Sequence, residues 1–131
     1  MSEAQEPRFR LSPEFRCELF YTSRDGEIPY DTIHPAVVSV LCYGGGMDSV
    51  ESSNVAGLVT KHITASEFQR VHKRMVQAWS NEERHAIAEQ QATLVAQAVW
   101  MAMTDLPLGD PGREPLKLLL ASDEIGVGQS A

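Results

Sequence analysis

Histidines are the residues of this sequence best suited to acid–base or metal chemistry, because imidazole titrates near neutral pH and ligates zinc. The four histidines are His34, His62, His72 and His85. No two of them have the His-x-x-x-His spacing, and no cluster of cysteines or carboxylates lies at ligand spacing from them. The chain also has no Gly-x-Ser-x-Gly segment that would present a nucleophilic serine. The sequence therefore predicts no metal site, no serine triad, no other catalytic residue and no cofactor.

A glycine-rich segment is the next candidate for chemistry. The apolar run from Val37 to Leu41 is followed by Gly44-Gly45-Gly46-Met47-Asp48-Ser49. This arrangement resembles the signature of the PP-loop ATP pyrophosphatases, in which a hydrophobic strand leads into Ser-Gly-Gly-x-Asp-Ser and then a helix. In that family the loop amides and the helix N-terminus bind pyrophosphate, because unpaired amides and the helix dipole favour an anion. The resemblance implies a nucleotide-binding loop made of Gly45, Gly46, Asp48 and Ser49.

Residues compatible with β-structure are concentrated in the N-terminal half. Residues 17–22 are rich in aromatic and β-compatible side chains and precede Ser23-Arg24-Asp25-Gly26, whose Asp-Gly pair is typical of a hairpin turn. Residues 36–43 fit either a buried strand or a short helix that begins at Pro35, and their valines favour the strand. Residues 55–63 are a further strand candidate. The pattern predicts an N-terminal β-hairpin and a short buried strand.

Two successive helices are predicted after residue 63. Thr64 and Glu67 have the spacing of a capping box, and Ser80 and Glu83 repeat it. Pro107 ends the second helix, so the two cover about residues 65–79 and 81–104. Apolar residues of the first helix recur every three or four positions, which indicates one buried stripe. That stripe is Phe68, Val71, Met75, Val76 and Trp79.

The second half of the later helix is apolar on every side. Only Thr93 and Gln97 interrupt the run of apolar residues from 92 to 103. A helix of this kind has to be enclosed by its own fold or by another molecule. Because the chain is short, we expect a second protein to cover part of it, as in helix-in-groove recognition. The candidate partner-binding residues are Leu94, Val95, Ala98, Trp100, Met101 and Met103.

These elements predict an α+β fold in which the N-terminal β-hairpin and the short buried strand pack beside the two-helix unit. A chain of 131 residues is long enough for one cooperative domain. Both ends are short of large apolar side chains and are expected to be disordered. The predicted organisation is a flexible N-terminus over residues 1–12, a single domain over 13–121 and a flexible tail over 122–131.

Charge and composition restrict the partners. The formal net charge is −7 and neither half of the chain is basic, which disfavours nucleic acid. No apolar run approaches the roughly 20 residues of a membrane span, and no export signal is recognisable, so we expect a cytoplasmic protein that does not bind membranes. Cys17 and Cys42 lie in apolar stretches without an adjacent base, which predicts two buried, reduced thiols and no disulfide.

Taken together, these features predict a small, non-catalytic protein-interaction module of bacterial type. It is expected to regulate a larger protein by binding or masking one of its helical interfaces. An antiactivator or inhibitor that sequesters a transcription regulator fits this description, as do immunity and adaptor proteins. Association through the second helix further predicts a homodimer. The alternative is a nucleotide-binding enzyme that uses the turn from Gly44 to Ser49.

Overall fold

The computed structural model describes residues 10–21 and 28–121, and these residues form an all-helical fold. They contain six α-helices and no β-strand, and a 3₁₀ turn at Tyr30–Thr32 runs directly into the second helix. None of these helices combines the length and the apolar character that a membrane crossing requires. The helices are α1 (Pro13–Tyr21), α2 (Ile33–Gly45), α3 (Ser49–Thr60), α4 (Ala65–Gln77), α5 (Asn81–Thr104) and α6 (Arg113–Lys117).

The prediction of an α+β fold with an N-terminal β-hairpin is wrong. Residues 17–21, the described part of its first arm, belong to α1, and the turn at 23–26 lies outside the described residues. Phe15 and Leu19 are buried, whereas Cys17, midway between them, is exposed. A strand would place all three side chains on one face, but a helix separates Cys17 from the other two. The aromatic residues of this segment therefore belong to a helix that is buried on one side.

The predicted buried strand at residues 36–43 is also wrong, because this run lies within α2. Pro35 is the third residue of α2. Amides in the first turn of a helix have no intrahelical acceptor, so the helix loses no hydrogen bond to proline at this position. The buried side chains are Ala36, Val37, Val40 and Leu41, which follow a helical period. Burial against α1 and α3 outweighs the β-preference of valine, which is weak and depends on context. Residues 55–60 of the third predicted strand likewise belong to α3.

The two predicted helices are present as α4 and α5, and the capping box at Ser80 and Glu83 is complete. The first helix ends at Gln77, two residues earlier than predicted, because Ala78 adopts an extended conformation with ψ of 138°. Phe68, Val71 and Met75 are buried as expected. The predicted stripe is wrong in its last two members, since Val76 is exposed and Trp79 is 94% exposed.

The main core surrounds the second half of α5, which packs against α3 and α6. Arg113 at the start of α6 donates from Nε to the Met103 carbonyl at 2.9 Å and fixes α6 to the end of α5. The antiparallel bridge between Leu11 and Leu120 joins the two ends of the described chain over α6. Leu11 and Ser12, assigned from sequence to a flexible terminus, are buried. Residues 1–9 and 122–131 of the predicted flexible ends lie outside the described residues.

A second, smaller cluster lies between α4 and the first half of α5. It consists of Val71, Met75, Ile87 and Ala88. Phe20 and Leu94 pack against both clusters and so connect them. Helix α5 therefore passes from a charged half that contacts α4 into an apolar half enclosed by the main core.

The turn between α2 and α3 depends on a left-handed residue. Gly46 has φ of 67° and ψ of 18°, and the amides of Gly46 and Met47 both donate to the Leu41 carbonyl. Asp48 then begins α3 by accepting a hydrogen bond from the Glu51 amide at 2.8 Å. One helix is thus closed and the next begun within three residues.

Replacing Gly46 with alanine is expected to lower the free energy of unfolding by about 1–2 kcal/mol, because a Cβ disfavours the left-handed region. Gly44→Ala is the matched control. Gly44 lies in the last turn of α2 with nothing within 4 Å of an added Cβ, so this change is expected to raise stability by up to about 1 kcal/mol. Urea denaturation of both variants measures the difference, and equal effects would contradict the role given to Gly46.

Candidate protein-interaction surface

The structure divides the six predicted partner-binding residues into two groups. Val95, Ala98 and Met103 are buried in the chain's own core, so α3 and α6 supply the enclosure that we expected from a second molecule. Leu94 is half-buried between the two clusters. Trp100 and Met101 remain 39% and 46% exposed. Within the apolar run, these last two residues form the surface that a partner can reach.

The exposed positions in the second half of α5 form one continuous face, which we call the α5 stripe. Its residues are Thr93, Gln97, Trp100, Met101 and Thr104. Their spacing of three and four places them on one side of the helix over about 16 Å. None of them carries a charge.

The two threonines make this face less polar than their type suggests. The Thr93 hydroxyl donates to the Glu89 carbonyl at 2.9 Å, and the Thr104 hydroxyl donates to the Met101 carbonyl at 2.9 Å. Both hydroxyl protons are therefore used within the helix. Gln97 has an amide that offers side-chain donors to a partner.

Charged residues border the stripe on the side of α4. A shallow groove of about 480 Å³ runs between the two helices, and α4 contributes Glu67, Arg70 and Arg74 to it. On the α5 side, Thr93 and Gln97 line the same groove. An uncharged centre that contains Trp and Met, with a charged rim, is typical of protein–protein interfaces. The arrangement suits burial against another protein.

Trp79 is a second exposed aromatic residue, and the sequence argument assigned it to the core. It lies between α4 and α5, where its amide and the Ser80 amide donate to Glu83 Oε1 at 2.6 and 3.2 Å. The capping box at Ser80 places the preceding residue outside the helix. That signal was present in the sequence and places Trp79 outside α5, but it does not by itself set the exposure of the side chain.

The Gly44–Ser49 segment does not have the strand–loop–helix geometry that its resemblance implies. It joins two helices, and Gly45, Gly46, Asp48 and Ser49 all lie at this turn. A carboxylate oxygen of Asp48 occupies the first turn of α3, where a phosphate would need the amides. The negative charge of Asp48 also opposes an anion at that position.

Packing and turn geometry account for two of the three glycines of this segment without a ligand. A Cβ on Gly45 would lie 2.9 Å from Cδ1 of Leu118, so any larger residue at this position would displace the Leu118 side chain. Gly46 is required by its positive φ.

The histidines have different environments and different partners. His62 Nε2 is 2.6 Å from Asp105 Oδ2, and Lys61 Nζ is 3.8 Å from the same oxygen, so this histidine helps to connect the end of α3 to the end of α5. His34 Nε2 is 3.5 Å from the Ser53 hydroxyl, and His72 and His85 are exposed. Among the residues that the structure describes, no three His, Cys, Asp or Glu side chains are grouped to hold a metal ion.

The cysteines differ from each other. Cys17 is exposed on α1, so the prediction of a buried thiol is wrong at this position. Cys42 is half-buried, and its sulfur lies 3.2 Å from the Ser52 hydroxyl, which connects α2 to α3. Both thiols are free.

Comparison of the chain with protein-family models, with curated proteins and with solved structures finds no match. The α5 stripe and Trp79 are features of the described residues whose composition differs from that of an ordinary solvated surface. The Gly44–Ser49 turn, by contrast, is accounted for by helix capping and packing.

Removing the α3 cap distinguishes the structural role of Asp48 from a nucleotide-binding role. Asp48→Ala is expected to lower the free energy of unfolding by about 1 kcal/mol, and Asp48→Ser is expected to preserve most of it, because serine caps as well as aspartate. Thermal denaturation with and without ATP and magnesium tests both readings. A rise in melting temperature with ATP that disappears in Asp48→Ala would contradict the capping interpretation.

Proposed function

We propose that this chain is a small, non-catalytic protein-interaction module that regulates a larger protein by binding or masking one of its helical interfaces. The observation that carries the proposal is the uncharged α5 stripe, in which Trp100 and Met101 are exposed and Thr93 and Gln97 border a groove with charged residues of α4. Tryptophan and methionine bury large areas at interface centres, and methionine adapts its shape to a partner. An antiactivator or inhibitor that sequesters a cytoplasmic transcription regulator is the form of regulation that we favour.

The size of the exposed apolar area favours a contact that can exchange. If a partner covers Trp100 and Met101, roughly 200 Å² leave water, which contributes about 5 kcal/mol at about 25 cal/mol per Å². Association costs at least about 4 kcal/mol in lost translation and rotation. The stripe therefore supports a weak or moderate interaction that further contacts strengthen. A regulator that must release its target needs this behaviour.

A second copy of the chain is one occupant that this face accommodates. Each copy carries a formal net charge of −7, so most relative orientations of two copies bring like charges together. The α5 stripe avoids this repulsion because it contains no charged residue. We therefore propose that the chain forms a homodimer through α5. The same stripe binds the regulated protein, so the homodimer has to dissociate before that complex forms.

Glutamate at either large residue of the stripe is expected to produce a monomer. Trp100→Glu and Met101→Glu each place two charges face to face in the dimer, and each is expected to raise its dissociation constant at least about tenfold, equivalent to about 1.4 kcal/mol. Light scattering over a concentration series measures the mass, and circular dichroism checks that the helices persist. Tyr43→Glu is the control, because Tyr43 is 89% exposed on a different helix. A wild-type monomer at every concentration would exclude the homodimer.

The regulated protein is expected to bind through the same stripe. Wild-type chain, Trp100→Glu and Tyr43→Glu serve as three baits in extracts of the native cell, with captured proteins identified by mass spectrometry. A target that wild type and Tyr43→Glu retain and Trp100→Glu loses would support the proposal. Equal capture by all three baits would show that the stripe does not bind the target.

A further inference from the structure

A groove of about 940 Å³ lies between α1 and the first two turns of α5. We call it the α1–α5 groove. Its apolar lining includes Cys17 and Phe20 from α1 and Ala88 from α5. Its cationic lining consists of Arg16 and Arg84, and His85 lies beside them. The α5 stripe contributes no residue to it.

The groove lies where the core-facing side of α5 continues beyond the main core. Ala88, Ala92, Val95 and Val99 follow one another at spacings of three and four, so they share one side of the helix. Ala92, Val95 and Val99 are covered by the main core and Ala88 by the smaller cluster, whereas Arg84, on the same side, borders the groove with Ala88. A partner segment seated there would lie along the continuation of this side of α5.

Charge distinguishes this groove from the rest of an acidic molecule. None of the described residues that line it is acidic. Glu89 lies close by and forms an ion pair with Arg16, and it is 3.8 Å from His85 Nε2. Arg84 has no side-chain hydrogen bond or ion pair with any residue in the described ranges, so its five N–H donors are available. The positive end of the α5 dipole lies at the same end of the groove.

We propose that the α1–α5 groove binds an acidic, amphipathic helical segment of a partner protein. Apolar side chains of that segment would pack on Cys17 and Phe20, and a carboxylate would form a charge-assisted hydrogen bond with Arg84. Nucleic acid fits less well, because a formal net charge of −7 repels a phosphate backbone and the floor of the groove is apolar.

This site goes beyond the proposed function because it is a second surface on the opposite side of α5. The groove residues of α5 and the α5 stripe lie about 150° apart around the helix axis. One partner can therefore occupy the groove while another covers Trp100 and Met101. The two surfaces are separable by mutation.

A designed peptide tests the proposal with the full chain. The probe is a fluorescent amphipathic peptide of about 14 residues, or roughly four helical turns, with leucines on one face and only Asp and Glu on the other. The matched probe has the same leucines and carries Lys in place of every acid. Fluorescence anisotropy is expected to show binding of the acidic probe, binding that weakens as salt increases, and at least about tenfold weaker binding of the basic probe.

Variants of the chain locate the bound peptide. Arg84→Glu is expected to weaken binding of the acidic probe at least about tenfold, because a hydrogen-bonded cation becomes a repelling anion. Lys73→Glu makes the same charge change on the exposed side of α4 and is expected to change affinity less than about threefold. Trp100→Glu is expected to bind the probe like wild type, so a failure of the proposed function leaves this result intact.

The thiol of Cys17 provides an independent readout that needs no charge-reversed variant. In a Cys42→Ala background, saturating acidic probe is expected to slow the reaction of Cys17 with a thiol reagent at least about tenfold, because the peptide would cover it. Three results would overturn the proposal: equal binding of both probes, equal losses in Arg84→Glu and Lys73→Glu, or an unchanged Cys17 rate at saturation. Binding of a single-stranded oligonucleotide as tight as that of the acidic probe would also overturn it.

Discussion

Enclosure of the second half of α5 is the constraint on which the rest of this structure depends. A helix with apolar side chains on nearly every side cannot remain in water, and burying each large side chain contributes about 1.5–3 kcal/mol. Helices α3 and α6 pack against it, and the Leu11–Leu120 bridge joins the segment before α1 to the segment after α6. The glycine at position 45 allows the α6 region to approach α2 closely. Elements that are distant in sequence thus combine to bury the apolar half of α5.

The first half of α5 has a different environment, and this difference produces the two surfaces. There the helix is charged and rests on the small cluster with α4, while Phe20 and Leu94 connect that cluster to the main core. The core-facing side borders the α1–α5 groove, which no further helix of residues 10–21 and 28–121 fills. On the opposite side, farther along α5, the exposed residues carry no charge. One long helix therefore presents a basic, partly apolar groove and an uncharged stripe.

The candidate site was only partly predictable from sequence. The apolar run drew attention to α5, but it could not say which of its residues face the core. Val95 and Trp100 are both apolar and five positions apart, and only the placement of α3 and α6 buries one while leaving the other exposed. Arg84 and Cys17 carried no sequence signal for a shared groove, because they belong to helices separated by residues 22–80.

The sequence by itself determined the local features: the N-cap at Thr64, the capping box at Ser80, the ends of α4 and α5 to within two residues, and the need to bury most of residues 92–103. These depend on interactions over three or four positions, which short-range patterns encode. Tertiary structure decided that residues 36–43 are a helix, that Trp79 is exposed and that most of the apolar run of α5 is enclosed by its own chain. The reason is physical: valine-rich runs fit a strand or a buried helix equally well until the partners that bury them are in place.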